Sequence, residues 1–132
     1  MKIANNEDKE RAKGTVLKIL SRHVGANRKI GMGELYYAVF GEAWSNRIND
    51  TRALRKLITE LRNEGVPICS VADSTGGGYY LASAGSELSS YCERLRTQAL
   101  RKLAMEAKIR RITLPELLGQ MTLSFKREEA NA

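Results

Sequence analysis

The chain shows three segments with helical periodicity, then two short strand-like segments, then one long helical segment. Apolar residues recur at steps of three and four within residues 12–24, 35–39 and 54–61, which predicts three amphipathic helices. A glycine follows each of them at the place where a helix commonly ends, namely Gly25, Gly41 and Gly65. The order of the elements predicts an α+β protein that is mostly helical.

The third helix, over residues 51–64, has the clearest two-sided pattern. Asn49 or Asp50 is a good residue to cap its first turn. Leu54, Ile58 and Leu61 form an apolar stripe on one face. At 100° per residue, the opposite face carries cations and hydrogen-bonding side chains, which are Arg52, Lys56, Thr59 and Asn63, with Arg55 at the margin.

After Gly65 the period changes from helical to extended. The stretches VPICSVAD and YYLAS read as two strands joined by STGGG, which predicts a β-hairpin with a glycine-rich turn. A phosphate-binding loop needs a lysine and a hydroxyl residue that open a helix, whereas a tyrosine and a strand follow here. We expect one of Tyr79 and Tyr80 to be buried and the other exposed, and the short KIG stretch could add an edge strand.

The last third of the chain predicts one long helix and an apolar tail. From Ser86 about 24 residues run without glycine or proline, which would give a helix of about 36 Å. Thr113 to Glu116 has the spacing of a capping box and opens a short helix, LPELLGQ. The following MTLSF alternates like a short strand or an apolar arm, and we expect the end of the chain to be frayed.

Charge makes a polyanionic partner plausible. The 132 residues carry a formal net charge of +7, and a basic chain of this size favours nucleic acid over a membrane surface. The N-terminus does not resemble a signal peptide, and no apolar run approaches the length of roughly 20 residues that spans a membrane. We therefore expect a cytoplasmic protein.

The residues do not suggest an enzyme or a metal site. The sequence has two cysteines and one histidine, too few ligands at the wrong spacing for zinc. No nucleophile with a base and no pair of carboxylates suggests a catalytic site. We expect no cofactor and see no sign of a small-molecule substrate.

The span DTRALRKLITELRNEGVPICSVADSTGGGYYLAS resembles the third helix and wing of winged helix-turn-helix domains of the biotin-operon-repressor type. In that family the helix ends in a leucine, a charged pair and a glycine, for which this chain has Leu61, Asn63-Glu64 and Gly65. The strands and turn of the wing are matched by Val66-Pro67-Ile68, Gly76 to Gly78 and Tyr80-Leu81-Ala82. The match covers about residues 10 to 84, and the continuation is similar to small winged-helix proteins of phages and prophages. The loop from Gly41 to Asp50 is longer than the turn of a tight helix-turn-helix.

This resemblance implies sequence-specific binding of double-stranded DNA by a small phage-type transcriptional regulator, with the third helix in the major groove. It places Thr51, Arg52, Arg55, Lys56 and Thr59 toward DNA. Arginine can bond both acceptors of a guanine edge, and Arg47, Asn49 and the helix N-terminus suit phosphate contacts. The alternative is a solvated basic face on a protein–protein interaction or assembly module.

The glycine-rich turn between the two strands has two possible interpretations. It permits positive φ and a tight reversal, and it could also bring the backbone close to a phosphate or the minor groove. The residues that would then contact DNA are Ser74, Thr75, Gly76 and Gly77. A plain turn that touches nothing is the other reading.

We expect a homodimer held by residues after Ser86, unless this segment folds back on its own domain. The apolar residues there are too many for one small domain to cover. The predicted contact residues are Leu88, Cys92, Leu95, Ala99, Leu103, Leu117, Leu118 and Met121. The predicted organisation is a flexible N-terminus over residues 1–9, a winged-helix domain over 10–85, a helical dimerisation extension over 86–125 and a disordered tail over 126–132.

Overall fold

The structure is a computed structural model that describes residues 2–72 and 77–130, except for the side chain of Arg47. It is mostly helical with a small antiparallel sheet, as the sequence predicts. The elements are α1 (Asn6–Leu20), α2 (Met32–Phe40), α3 (Arg47–Asp50), α4 (Arg52–Asn63), β1 (Ile68–Val71), β2 (Gly78–Leu81), α5 (Ser86–Arg110) and α6 (Leu114–Ala130). The chain divides into two compact units after Tyr91.

Helix α1 begins earlier and ends earlier than predicted. The Asn5 side chain caps it by accepting a hydrogen bond from the Asp8 amide at 2.8 Å, and such a cap fixes the first turn. The prediction of a flexible N-terminus over residues 1–9 is therefore wrong from Asn5 onward. The helix ends at Leu20, and Gly25 adopts positive φ (93°) in the connection that follows.

Helix α2 ends as predicted at Gly41, which has φ 77° and leaves the helix in the left-handed conformation that glycine adopts without strain. Its aromatic residues divide between core and surface. Tyr36 and Phe40 are buried with ring centroids 4.7 Å apart, whereas Tyr37 is exposed.

The hairpin pairs β1 and β2 antiparallel, with Ile68 opposite Leu81 and Cys69 opposite Tyr80. The KIG stretch joins it through a single bridge, because Ile30 and Tyr79 exchange backbone hydrogen bonds of 2.9 and 2.8 Å. The expectation that one of Tyr79 and Tyr80 is exposed is wrong, since both are buried. Successive side chains of a strand point to opposite faces, so both faces of β2 are covered at this point.

The core of the first unit lies between α1, α2, α4 and the hairpin. Four leucine or isoleucine side chains of α4 are fully buried in it, and α1 contributes three apolar residues. These residues are Ala12, Val16, Leu20, Leu54, Leu57, Ile58 and Leu61. The helical stripes read from the sequence are therefore the buried faces of these helices.

The second unit contains the C-terminal part of α5, a turn and α6. Arg111 adopts positive φ (59°), and the Ile112 amide bonds the Ala107 carbonyl at 3.0 Å, a geometry that closes helix ends. The Thr113 hydroxyl then accepts from the Glu116 amide at 3.2 Å, as the predicted capping box requires.

Two sequence expectations about α6 are wrong. The MTLSF stretch is not a strand, and the helix continues through it to Ala130. A lone strand would leave its backbone groups without partners, whereas a helix satisfies them internally. Residues 126–130, expected to belong to a disordered tail, are part of the same helix.

Candidate nucleic-acid interface

The outer face of α4 presents the side chains that the sequence analysis placed there. Arg52, Arg55, Lys56 and Thr59 are exposed, while Leu54, Leu57, Ile58 and Leu61 on the inner face are buried. The helix therefore buries one stripe and leaves a row of cations and a hydroxyl on the surface.

Glu60 of α4 and Glu64, which directly follows the helix, are paired with lysines of α1 and not with this row. Lys9 Nζ lies 3.3 Å from Glu60 Oε1, and Lys13 pairs with Glu64 as well as with Glu10. The hydrogen bond to Glu64 is the main cause that raises the pKa of the nearly buried Lys13 amine. The negative charge of the helix is thus paired toward α1.

Arg52, Arg55 and Lys56 have no carboxylate within 4.0 Å in the part of the chain that the structure describes. Unpaired cations next to paired acids favour a positive potential on this face. The sequence shows the cations, but only the fold shows which acids are neutralised.

The short helix α3 sets the start of α4. Asn46 caps α3, because its Oδ1 accepts from the amides of Ile48 (3.1 Å) and Asn49 (3.0 Å). The Asp50 carboxylate accepts from the amides of Asn46 (2.8 Å) and Ser45 (2.7 Å). Those bonds, the one from Asn46 first, hold the pKa of Asp50 below its usual value. The prediction that Asn49 or Asp50 caps the third helix is wrong, since α4 follows Thr51 without a side-chain capping bond and Asn46 caps α3 instead.

Thr51 is the one described residue among the predicted major-groove contacts that is buried. It lies at the junction of α3 and α4 and is only 1% exposed. Its predicted role as a contact residue is wrong because the corner between the two helices turns it inward, a bend that the sequence does not reveal.

Arg55 is exposed, and its side chain also makes a hydrogen bond within the protein. Its Nη2 donates to the Ile48 carbonyl at 2.7 Å, which ties α3 to α4. Arg52 Nη2 lies 3.5 Å from Asn49 Oδ1, and the Thr59 hydroxyl donates to the Arg55 carbonyl at 3.0 Å. Lys56 makes no such bond in the described part of the chain, so it is the cleanest residue for testing the charge of this face.

Sequence reasoning missed Ile48, whose side chain is 69% exposed beside the cations. It borders an open hollow of about 450 Å³ whose other lining residues are Met32, Thr51 and Arg55. The available signal was an isoleucine inside the polar stretch SNRIND. An apolar side chain so exposed within a basic face could contact the methyl group of thymine.

The glycine turn is described only in part. The predicted contact residues Ser74, Thr75 and Gly76 lie outside the described residues, as does the side chain of Arg47. Gly77 has φ 73°, and a Cβ there would collide with the Val71 carbonyl oxygen. A Cβ at Gly78 would likewise meet the Ile30 carbonyl. These two glycines are therefore required by the hairpin itself.

The predicted dimerisation residues divide by exposure. Leu88, Cys92, Leu95, Ala99 and Leu118 are exposed, whereas Leu103 and Met121 are half-buried. Leu117 is buried within the chain at 3% exposure, so its predicted place in a dimer contact is wrong. Together with Glu106 and Arg110 of α5, it lines one hollow.

The described residues contain no cluster of three or more side chains that could hold a metal ion. Among them, too, every helix is too short or too polar to cross a membrane. No family model, no curated protein and no solved structure matches this chain.

Proposed function

We propose that this protein is a winged-helix protein that binds double-stranded DNA with α4 in the major groove, acting in the cytoplasm as a small phage-type transcriptional regulator. The observation that carries the proposal is the separation of charge on α4. Glu60 and the adjoining Glu64 are paired with α1, and among the described residues Arg52, Arg55 and Lys56 on the outer face have no carboxylate partner.

The order and packing of the elements support the fold part of the proposal. Helices α1, α2 and α4 share one core with a hairpin that follows α4 directly. The bridge from Ile30 to Tyr79 adds a third partner to the sheet, the place that the first strand takes in a winged helix. In such domains the helix before the hairpin enters the major groove.

The chemistry of the face suggests a division of roles. Arg52 offers a planar guanidinium that can bond both acceptors of a guanine, and Lys56 carries a compact charge suited to phosphate. Asn49, beside Arg52, suits a phosphate oxygen at the entrance to the helix. Arg55 positions α3 through the Ile48 carbonyl and has further N–H donors left for DNA.

Fluorescence anisotropy with a mixed-sequence duplex at several salt concentrations tests this proposal. The wild-type chain should bind, and its affinity should fall steeply with salt because each neutralised phosphate releases counterions. Lys56→Gln should weaken binding to all sequences and lower the salt slope by about one. Joint replacement of Arg52 and Lys56 by glutamate should abolish binding while the melting temperature is unchanged.

Lys126→Gln is the matched control, since it makes the same charge change on the exposed surface of α6. Its effect on affinity should be much smaller than that of Lys56→Gln. Equal losses from both variants would mean that only the net charge matters and that α4 is not the binding surface. No duplex affinity of the wild type at low salt would end the proposal.

A second candidate is a protein-interaction module. The observation that favours it is the exposure of Leu118, Leu123 and Phe125 on α6, since exposed apolar groups of this size mark interaction surfaces. Near them Glu106 and Arg110 border a hollow of about 270 Å³. If the duplex does not bind at any salt concentration, this candidate takes the place of DNA binding.

A further inference from the structure

Ile48 in α3 is a large apolar residue that the protein holds out into solvent. It is 69% exposed, although side chains of its neighbours bond both polar groups of its backbone. The Ile48 amide donates to Asn46 Oδ1 at 3.1 Å, and Arg55 Nη2 donates to the Ile48 carbonyl at 2.7 Å. A β-branched side chain has few rotamers, so Ile48 is presented to the outside in a nearly fixed position.

The residues around Ile48 indicate what kind of partner it meets. Arg52, Arg55 and Lys56 are exposed on the same side of the protein and have no carboxylate within 4.0 Å in the described part of the chain. An apolar protein surface laid on Ile48 would leave these cations without counter-charges. A DNA duplex offers phosphates to the cations and base edges to the side chain between them.

The base edges in the major groove of unmodified DNA carry one apolar group, the C5-methyl group of thymine. The other three bases lack it and present hydrogen-bond donors and acceptors, to which an isoleucine offers no partner. Contact between Ile48 and the methyl group removes apolar surface of both from water. Because the backbone of Ile48 is already fixed, this contact costs little additional ordering.

We propose that Ile48 is a second base-reading side chain and contacts the C5-methyl group of a thymine in the major groove. This inference rests on the proposed binding of duplex DNA through α4 and adds a base preference to it. Ile48 and Arg52 are four residues apart, which corresponds to about 6 Å of helix. Since successive base pairs are about 3.4 Å apart, the thymine lies about two base pairs from the base that Arg52 contacts.

Selection of bound sequences from a random duplex library locates this thymine. The wild type should enrich a thymine about two base pairs from a guanine. Ile48→Ala should lose the thymine preference and keep the guanine preference, and Arg52→Ala should do the reverse. Since Ile48 is exposed, the melting temperature of Ile48→Ala should equal that of the wild type. Identical enriched sequences for the wild type and Ile48→Ala would overturn the proposal.

Replacing the selected thymine by uracil tests the contact itself, because it removes only the methyl group. In fluorescence anisotropy the wild type should bind the uracil duplex about fourfold more weakly, as expected for one buried methyl group. Ile48→Ala should bind the two duplexes equally well. Ile109→Ala is the matched control, since Ile109 is 75% exposed on α5 and loses the same atoms. It should keep the fourfold ratio, and an equal ratio for the wild type and Ile48→Ala would contradict the contact.

The outcomes separate this inference from the proposed DNA binding. A wild type that binds duplexes in a salt-dependent way, but binds thymine and uracil duplexes equally, would overturn the role of Ile48 and leave binding through α4 in place. A wild type without duplex affinity at low salt would overturn both.

Discussion

The two units of this chain bury their apolar residues very differently. In the described part of the chain, all buried apolar residues except Ala107 and Leu117 lie before residue 92. Helix α4 has four buried leucine or isoleucine residues within 12 positions, whereas α5 has one buried residue, an alanine, within 25. Helical periodicity is present in both, so periodicity alone does not tell which stripe the chain itself covers.

The comparison also separates two kinds of charged residue. In the first unit, the lysines of α1 are paired with the acids of α4 and fix the packing of these helices. Arg52, Arg55 and Lys56 on the outer face of α4 have no such partners among the described residues. A charge left unpaired next to a well-paired neighbour is available for binding another molecule.

The largest difference should appear when one leucine is shortened in each unit. Leu57→Ala removes a side chain that is 1% exposed, so the free energy of unfolding of the first unit should fall by about 2–5 kcal/mol. Leu100→Ala removes an exposed leucine of α5 and should change it by less than about 0.5 kcal/mol. Urea unfolding followed by tryptophan fluorescence measures both, because Trp44 packs against the core of the first unit. Equal effects would mean that the two units share one core.

Gly77→Val should have the next largest effect. Its φ of 73° is strained for a β-branched residue, and the added Cβ meets the Val71 carbonyl, so we expect a loss of about 1–3 kcal/mol or more. Gly14→Ala is the control, because a Cβ there meets nothing and the residue lies inside α1. That change should raise stability by about 0.5–1 kcal/mol. An unchanged melting temperature for Gly77→Val would show that the turn adapts without cost.

A smaller effect should appear as a pH dependence at the α3 corner. The pKa of Asp50 lies below its usual value of 3.8 because amides donate to its charged form. Its contribution to stability is therefore fully present above that value and is lost as pH falls through the lower pKa of the folded state. The stabilities of wild type and Asp50→Asn should differ most above the usual pKa of 3.8 and converge as pH falls through the lower pKa of the folded state. A difference that stays constant down to low pH would rule out this role of the carboxylate.

Much of the first unit could be predicted from the sequence because its local signals agree with its packing. Gly41 ends α2, and the two strands flank a glycine turn as expected. In the second unit, the Thr113–Glu116 box opens α6 as expected. The extent of α6 could not be predicted, because three alternating apolar residues in MTLSF fit a strand or a helix equally well. Only the absence of a neighbouring strand in the described chain decides between them.

The exposed face of α4 could be predicted from the sequence, but the contacts that its side chains make within the protein could not. Exposure of Arg52, Lys56 and Thr59 follows from the stripe of α4. The burial of Thr51 depends on the corner between α3 and α4, and the bond from Arg55 to the Ile48 carbonyl depends on the same corner. The capping hydrogen bonds of Asn46 fix this corner. The sequence does not single out Asn46, because Asn49 and Asp50 nearby are equally good capping residues.

Backbone amide NMR of the full chain, titrated with a short mixed-sequence duplex at low salt, tests the central claim most directly. Shifts should concentrate on residues 46–63 and on Gly77 and Gly78, while the amides of α6 stay unchanged. The Lys56→Gln variant should need more duplex to reach the same shifts. Shifts confined to α5 and α6, or no shifts at all, would contradict the assignment of DNA binding to α4.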